Sequence, residues 1–342
     1  MVLRLTKIKL PVRLRRRQVW VPFLALIMVL AGALTYRVIN DRVSESGLFG
    51  NLSGEIEISE GMKHSIPLDE ITSGGPPKDG IPPIDNPKFI KAGATDFITD
   101  DEPGIAVSSG GVNRFYPYQI LVWHEIVNDK INGQRVLVTY CPLCLSGVVF
   151  DPVVDGQRVE FGTSGKLWNS NLLMYDRKTD SLWSQILGEA VVGDRTGDKL
   201  AVLPSDITKF GAWRQLHPGG EVLSRDTGTS RPYGQDPYGD YYTTPGTYFD
   251  VSRTDDRLGE KEFVLGLVID GKAKAYHVTA IKKAGRVEDS FAGRQIVAEY
   301  QKSIDAVRLF EKQPDGTLKR LNPFPSFWFS WAASNPDTEL YK

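Results

Sequence analysis

The chain has 342 residues, with 41% hydrophobic and 24% charged side chains and a formal net charge of −1 at pH 7. This balance is that of a globular protein and excludes a chain too polar to form a core. Seven Lys and Arg but no acidic residue precede Gln18, so the remainder is acidic and offers no basic surface for nucleic acid.

Residues 19–36, VWVPFLALIMVLAGALTY, carry no charge and follow this basic segment of residues 1–18. At 1.5 Å per residue they nearly cross the roughly 30 Å hydrocarbon layer. Because basic flanks stay in the cytoplasm, we expect a single-pass anchor with everything after it outside, periplasmic or at the cell surface. Ala31-Gly32-Ala33 also fits a signal-peptide cleavage site, which would make the protein secreted.

Residues 37–102 are rich in Pro, Gly and acidic side chains, most densely in SGGPPKDGIPPIDNP at 73–87. Such a composition disfavours both a helix and a central strand. We therefore expect an extended segment that leads from the membrane to the folded domain.

An internal repeat is the most informative feature of the remaining sequence. Residues 104–156 match residues 264–316 at a constant shift of 160, and WRQLHPGGEVL matches WAASNPDTELY at a shift of 118. The matched pairs include Gly111 and Gly271, Tyr116 and Tyr276, Asp129 and Asp289, Tyr140 and Tyr300, Phe150 and Phe310, and Trp213 and Trp331. This pattern predicts a first lobe at 103–230, a linker at 231–262 and a second, shorter lobe at 263–342.

Local signals within the first copy predict a strand, a short helix and then a hairpin. Pro117 suits the start of a helix that continues to about Trp123. Asn132-Gly133 is a strong two-residue hairpin signal, and a further strand closes at Asp155-Gly156. The expected fold class is mixed α+β, mainly antiparallel β with short helices, in two related lobes from an internal duplication.

His124, Cys141 and Cys144 are the chemically distinctive residues of the first copy. The two cysteines are the only ones in the chain and lie in the motif CPLC. The second copy keeps the apolar framework but replaces these three residues by Ala284, Gln301 and Ile304. A role in chemistry is therefore favoured over a role in folding, since the related module folds without them.

An imidazole and two thiolates suit Zn²⁺ or Cu(I), and two cysteines with two residues between them chelate one ion readily. We predict a copper or zinc site with His124, Cys141 and Cys144 as ligands and Met174 as a candidate fourth. Glu125 would then be a group behind the ligands or a proton acceptor with a catalytic role.

Two alternatives remain open for the cysteines. They could form a thiol–disulfide redox pair, in which His124 favours one thiolate. A thioredoxin-like arrangement is disfavoured, because LSGVVFD after CPLC is typical of a strand and not of a helix. They could also form a small structural disulfide in a non-catalytic envelope scaffold or binding module.

The stretch WNSNLLMYDRKTDSLWSQ belongs to an insert that the second copy lacks. Aromatic and polar residues together often line a binding pocket. The predicted pocket-lining residues are Trp123, Asn171, Tyr175, Asp176, Arg177 and Trp183. The alternative is a surface hairpin in which Asp176 and Arg177 form an exposed pair.

Several long motifs occur in one order from about Ile66 onward, namely SGGPPKDGIP, YPYQILVWHEIVND, TYCPLC, FGTSGKLWNSNLLMYDR, SLWSQILGEAVVG and RPYGQDPYGDY. In these motifs the chain resembles a bacterial and archaeal family named domain of unknown function 3179. The resemblance places His124 in the WHE motif, the cysteines in CPLC, and Met174, Asp176 and Arg177 in MYDR. It implies no activity, substrate or protein partner.

Overall fold

A computed structural model describes residues 54–342, which belong to one compact unit. These residues are mostly antiparallel strands with few short helices, as predicted. Between residues 54 and 342 no helix has the length and apolar character that a membrane crossing needs. The basic segment 1–18 and the predicted membrane segment 19–36 lie outside the described residues.

The strands before residue 224 are short and follow one another with few helices between them. They are β1 (Glu57–Ser59), β2 (Met62–His64), β3 (Thr72–Ser73), β4 (Phe89–Lys91), β5 (Pro103–Ser109), β6 (Val112–Pro117), β7 (Ile126–Ile131), β8 (Gln134–Cys141), β9 (Ser146–Asp151), β10 (Val153–Val154), β11 (Gln157–Arg158), β12 (Phe161–Trp168), β13 (Asn171–Asp176), β14 (Leu182–Ser184), β15 (Glu189–Val192), β16 (Ala201–Val202), β17 (Ser205–Lys209) and β18 (Glu221–Leu223).

The remaining strands are β19 (Phe263–Ile269), β20 (Lys272–His277), β21 (Arg286–Phe291), β22 (Arg294–Gln301), β23 (Ala306–Lys312), β24 (Leu318–Leu321), β25 (Phe324–Phe327) and β26 (Glu339–Tyr341). The α-helices of the described chain are α1 (Tyr118–Leu121), α2 (Phe210–Leu216), α3 (Val278–Ala284) and α4 (Trp328–Ser334). Single 3₁₀ turns occur at Leu68–Glu70, Ala92–Ala94, Pro142–Cys144 and Lys302–Ile304.

Four sheets of four or five strands surround a common cleft, much as the blades of a small propeller do. Their strand orders are β17-β5-β6-β18-β4, β16-β9-β8-β7, β25-β19-β20-β26 and β21-β22-β23-β24. The pairings within them are antiparallel except β6 with β18 and β20 with β26. A seven-stranded sheet, β1-β2-β15-β14-β13-β12-β3, lies beside them, together with the small hairpin of β10 and β11.

Turn chemistry explains the hairpin that positions the site. Asn132 and Gly133 have φ of 45° and 86°, the left-handed values that a two-residue hairpin between β7 and β8 requires. Asn and Gly tolerate these values best, which is why the sequence signal was correct. The hairpin brings Cys141, at the end of β8, back to the level of the residues that precede β7.

The predicted helix is shorter than expected. It begins directly after Pro117, but α1 ends at Leu121, and irregular turns carry the chain to Glu125. Glu125 has φ of 59°, a left-handed conformation that non-glycine residues seldom adopt. This bend reverses the chain into β7 and places Glu125 beside the end of β8.

Candidate functional site

Cys141 and Cys144 lie at the turn between two central strands. Cys141 ends β8, the 3₁₀ turn Pro142–Cys144 follows, and Leu145 adopts φ of 49° before β9 begins. Both cysteines are free thiols and are buried, with exposures of 1% and 0%. Their sulfur atoms are 2.9 Å apart, so the turn presents the two thiols to each other.

A buried polar network fixes the thiols from the insert side. The Asn171 amide donates to the Cys144 sulfur at 3.0 Å and to Gln185 Oε1 at 2.9 Å. Gln185 in turn donates to Thr139 Oγ1 and to the carbonyl of Ser146, which lie in β8 and β9. Since its buried polar groups are paired, this network holds the hairpin of β12 and β13 against the cysteine turn in one arrangement.

The hairpin turn itself also faces the sulfurs. Its residues Asn169 and Ser170 have φ of 50° and 60°, so they form a left-handed two-residue turn between β12 and β13. The Ser170 carbonyl lies 3.7 Å from both sulfur atoms. The motif WNSN, which the sequence singled out as part of a pocket, therefore contacts the cysteines through Ser170 and Asn171.

Glu125 supplies a buried acid close to Cys141. Its carbonyl accepts the N–H of Tyr140 at 2.7 Å, which places it opposite the last residues of β8. Glu125 is 8% exposed, its side chain makes no hydrogen bond within residues 54–342, and burial raises the pKa of the carboxyl to about 8. Burial, followed by the contact with Cys144, also raises the pKa of the Cys141 thiol well above its ordinary value.

His124 is held by partners other than the cysteines. Its Nδ1–H donates to the Pro82 carbonyl at 2.7 Å, so the neutral ring accepts from the Tyr233 hydroxyl at Nε2, at 2.6 Å. Burial lowers the pKa of His124 and favours this neutral form. The part of the chain that the structure describes holds no group of three or more His, Cys, Asp or Glu side chains placed to bind an ion.

The structure thus brings Cys141 and Cys144 together but leaves the His124 ring on other partners. Met174 is fully buried in β13, where it pairs with Thr163 and with Trp183 on the adjacent strands. The copper or zinc ion with these four ligands stays a prediction.

Of the predicted pocket-lining residues, Asn171 lies against the thiols and the others contact different partners. Trp183 donates to Asp176, Tyr175 donates to Asp79, and Arg177 pairs with Asp85. The Trp123 indole donates to the carbonyl of Gln235.

Asp176 closes the turn between β13 and β14. Its fully buried carboxylate accepts from the Trp183 indole at 3.0 Å, from the backbone of Lys178 and Thr179, and from the Thr179 hydroxyl. Four donors converge on one side chain, so its role is to stabilise the hairpin that carries Asn171.

We expect Asp176→Asn to lower the free energy of unfolding by about 2 kcal/mol, because a charged acceptor of buried donors becomes a neutral one. Urea unfolding measures the change. The matched control is Asp180→Asn in the same turn, where the side chain is 69% exposed and pairs with Lys78. That control should change stability by less than about 0.5 kcal/mol, and equal losses in both variants would contradict the assignment.

A long connection that sequence reasoning treated as a linker covers the cysteine turn. Residues 224–262 contain neither helix nor strand. The buried Tyr241 donates to the carbonyl of Leu143 at 2.8 Å, and the Ser170 hydroxyl donates to the carbonyl of Phe249. Connections of this length without regular structure are uncommon and are often functional, and the tyrosines of PYGDYYTTPGTY were the available signal.

Comparison with known proteins gives one result. A family model described as protein of unknown function (DUF3179) matches residues 78–338, which is most of the chain, and so confirms the resemblance found in the motifs. No curated protein and no solved structure matches. These comparisons identify the family but assign it no activity.

Proposed function

The chain belongs to the DUF3179 family of proteins of unknown function, and we propose that it carries a reversible dithiol–disulfide redox centre at Cys141 and Cys144. The observation that carries this proposal is the pair of free thiols 2.9 Å apart inside one buried polar network. A small movement of either sulfur would allow the bond to form.

A purely structural disulfide explains these residues less well. The turn Lys302–Ile304 in the second half has the same 3₁₀ form, and Asp305 after it has the same φ of 49° as Leu145. That turn forms with Gln301 and Ile304 at the two cysteine positions. A disulfide closing so small a loop would also constrain the unfolded chain by only about 2 kcal/mol.

The proposed reaction is thiol–disulfide exchange with a disulfide substrate. Cys144, whose sulfur accepts a hydrogen bond from the Asn171 amide, loses its proton to solvent and attacks one substrate sulfur, which forms a mixed disulfide and releases the other substrate sulfur as a thiolate. Burial keeps Cys141 protonated until the second step. Glu125 holds a proton near neutral pH because burial raises its pKa to about 8, and it gives this proton to the first substrate thiolate. The carboxylate so formed takes the proton of Cys141, which attacks the Cys144 sulfur and releases the second substrate thiolate. Two electrons pass to the substrate, and the two protons lost by the cysteines become available to the two product thiolates.

Glu125 suits this transfer because a carboxyl with a pKa of about 8 can both hold and release a proton near neutral pH. Glu125 directly precedes β7 and lies opposite the end of β8, which puts it beside Cys141.

The test is a redox titration of the full chain in buffers of defined thiol–disulfide potential, with free thiols trapped by a maleimide and counted by mass. We expect both thiols to titrate together as one two-electron couple between about −120 and −270 mV, and the Cys144→Ser variant to show no such couple. Cysteines that stay oxidised below about −300 mV would indicate a structural disulfide, and thiols that never oxidise would contradict the redox proposal.

A bound metal ion is the second candidate function, favoured by the convergence of two sulfurs and one carbonyl on the same point. Copper or zinc bound by two thiolates fits this donor set. His124 would join only by leaving Pro82 and Tyr233. Elemental analysis of the same preparations distinguishes the metal site from the redox centre. One equivalent of copper or zinc in the wild type, lost in both His124→Ala and Cys144→Ser, would support the full predicted metal site.

We propose further that residues 19–36 anchor the chain in the cytoplasmic membrane with the thiols outside. The uncharged stretch and the seven basic residues before it support this orientation. An extracytoplasmic compartment is oxidising, which agrees with a centre that forms a disulfide.

We also propose that the two halves of the chain arose by an internal duplication. Corresponding strands begin 160 residues apart, for example β5 and β19 or β7 and β21, while α2 and α4 begin 118 residues apart. Equivalent hydrogen bonds support it as well: Tyr116 donates to Asp129 as Tyr276 does to Asp289, and the N–H of Tyr140 donates to Glu125 as that of Tyr300 does to Gly285.

A further inference from the structure

The cleft between the four propeller-like sheets is a partly open space of about 390 Å³. Each of the four sheets or the turn beside it lines the cleft, through residues such as Tyr118, Leu145, Phe263 and Arg320. Leucine, valine, phenylalanine and proline side chains form much of the wall. Its volume falls within the range of small-molecule sites, which are mostly apolar with a few polar groups that fix orientation.

Tyr118 places an unpartnered hydroxyl at this cleft. The residue is 6% exposed, and its hydroxyl has no hydrogen-bond partner within residues 54–342. A Cβ atom added to Gly147, which also lines the cleft, would lie 3.2 Å from that hydroxyl, so the group points toward the cleft. Buried hydroxyls are normally paired, so this one can accept a hydrogen bond from a ligand or donate one to it, since residues 54–342 provide no partner for it.

Two further polar atoms at the cleft lack partners in the described chain. Asn322 donates to the Val202 carbonyl at 2.8 Å, which fixes the amide and leaves its Oδ1 buried without a donor. Arg320 uses one terminal nitrogen for Ser205 and Asp206, while its Nε–H is buried and donates to nothing. The cleft therefore offers one free acceptor, one free cationic donor and one free hydroxyl.

The charge at the Arg320 end is positive. Arg320 and Arg308 both bind the single carboxylate of Asp206, at 2.8 and 2.6 Å. Lys282, which also lines the cleft, is neutralised by Asp305 at 2.7 Å. Two guanidinium groups against one carboxylate leave a surplus that favours an anion, and Arg recognises carboxylates especially well.

We infer that this cleft binds a small organic carboxylate with an apolar body and one hydroxyl or N–H group. The carboxylate accepts from Arg320, the donor group satisfies Asn322, and Tyr118 pairs with either polar end. The inference does not rest on the redox proposal, although Leu145 joins the cleft directly to the cysteine turn.

The probes are 4-hydroxybenzoate and its neutral isostere 4-hydroxybenzamide, titrated into the full chain by calorimetry and ligand-observed NMR. We expect the acid to bind with a dissociation constant of about 1 mM or below and the amide about tenfold or more weakly, since one charge-assisted contact is lost. Arg320→Met should weaken the acid about tenfold and leave the amide nearly unchanged, and Tyr118→Phe should weaken both several-fold.

Arg294→Met is the matched control, because Arg294 pairs with Asp270 and Glu311 and does not line the cleft. Cys144→Ser should also bind the acid as the wild type does, which separates this inference from the redox proposal. Circular dichroism establishes that each variant is folded. The inference is overturned if neither probe saturates, if acid and amide bind equally, or if Arg320→Met binds the acid like the control.

Discussion

Replacing Tyr241 by alanine is expected to speed the alkylation of Cys141 and Cys144 by about 100-fold. Both thiols are buried, so a reagent reaches them when residues 224–262 open locally. Tyr241 is 1% exposed, donates to the Leu143 carbonyl and lies under the Lys261 ammonium, 3.6 Å from the ring centroid. Losing these contacts costs the closed state about 3 kcal/mol, and maleimide trapping under native conditions measures the rate.

Phe291→Ala is the control for a general loss of stability, because Phe291 is equally buried but packs in the second half of the chain. It should lower the midpoint of urea unfolding without a comparable change in the alkylation rate. If alkylation were accelerated to a similar degree in both variants, the reagent would reach the thiols by global unfolding. Residues 224–262 would then not shield the cysteine turn.

This covering role shows what the sequence could not supply. Residues 231–246 contain Tyr, Gly and Pro without periodicity, which indicates a connection but not its contacts. Tyr241 and Leu143 are 98 residues apart, and a pairing over that distance leaves no local pattern. By contrast, the hairpin at Asn132-Gly133 depends on two adjacent residues and was predictable from them alone.

The same distinction holds for the candidate site. Cys141 and Cys144 are close because one turn holds both, and the spacing of CPLC sufficed to predict this. His124 lies on a neighbouring element, but its ring direction depends on Pro82, 42 residues earlier, and on Tyr233, 109 residues later. Spacing predicts which residues approach one another, and the partners that fix a side chain are set by tertiary packing.

The seven-stranded sheet was also beyond sequence reasoning. The insert strands β12 to β15 are flanked on both sides by strands from residues 57–73. β12 pairs with β3, and β15 pairs with β2 where His64 lies opposite Val192. The sequence predicted an extended Pro- and Gly-rich segment for those residues, because strands of two or three residues are too short to show an alternation of apolar and polar side chains. The insert therefore has a structural partner that its own composition does not reveal.

Glu125→Gln is expected to make stability much less dependent on pH between 5 and 8. The carboxyl has a pKa of about 8 in the folded chain against 4.5 ordinarily, so the folded state keeps a proton that the unfolded state loses. Stability in the wild type should therefore fall as pH rises from about 4.5 to 8, by about 3 to 5 kcal/mol from this group, and then level off. Urea unfolding of both proteins at several pH values measures the difference.

The difference between variant and wild type isolates this carboxyl, because the other titrating groups are common to both. We expect near-equal stability at pH 5 and a variant that is more stable by at least about 2 kcal/mol at pH 8, where the folded wild type must either keep the carboxyl protonated or bury its charge. Glu60→Gln, at an exposed position, should keep the wild-type slope. Parallel pH profiles for Glu125→Gln and the wild type would show that the carboxyl is already charged in the folded state, and Glu125 would then hold no proton to give to the first substrate thiolate in the proposed exchange.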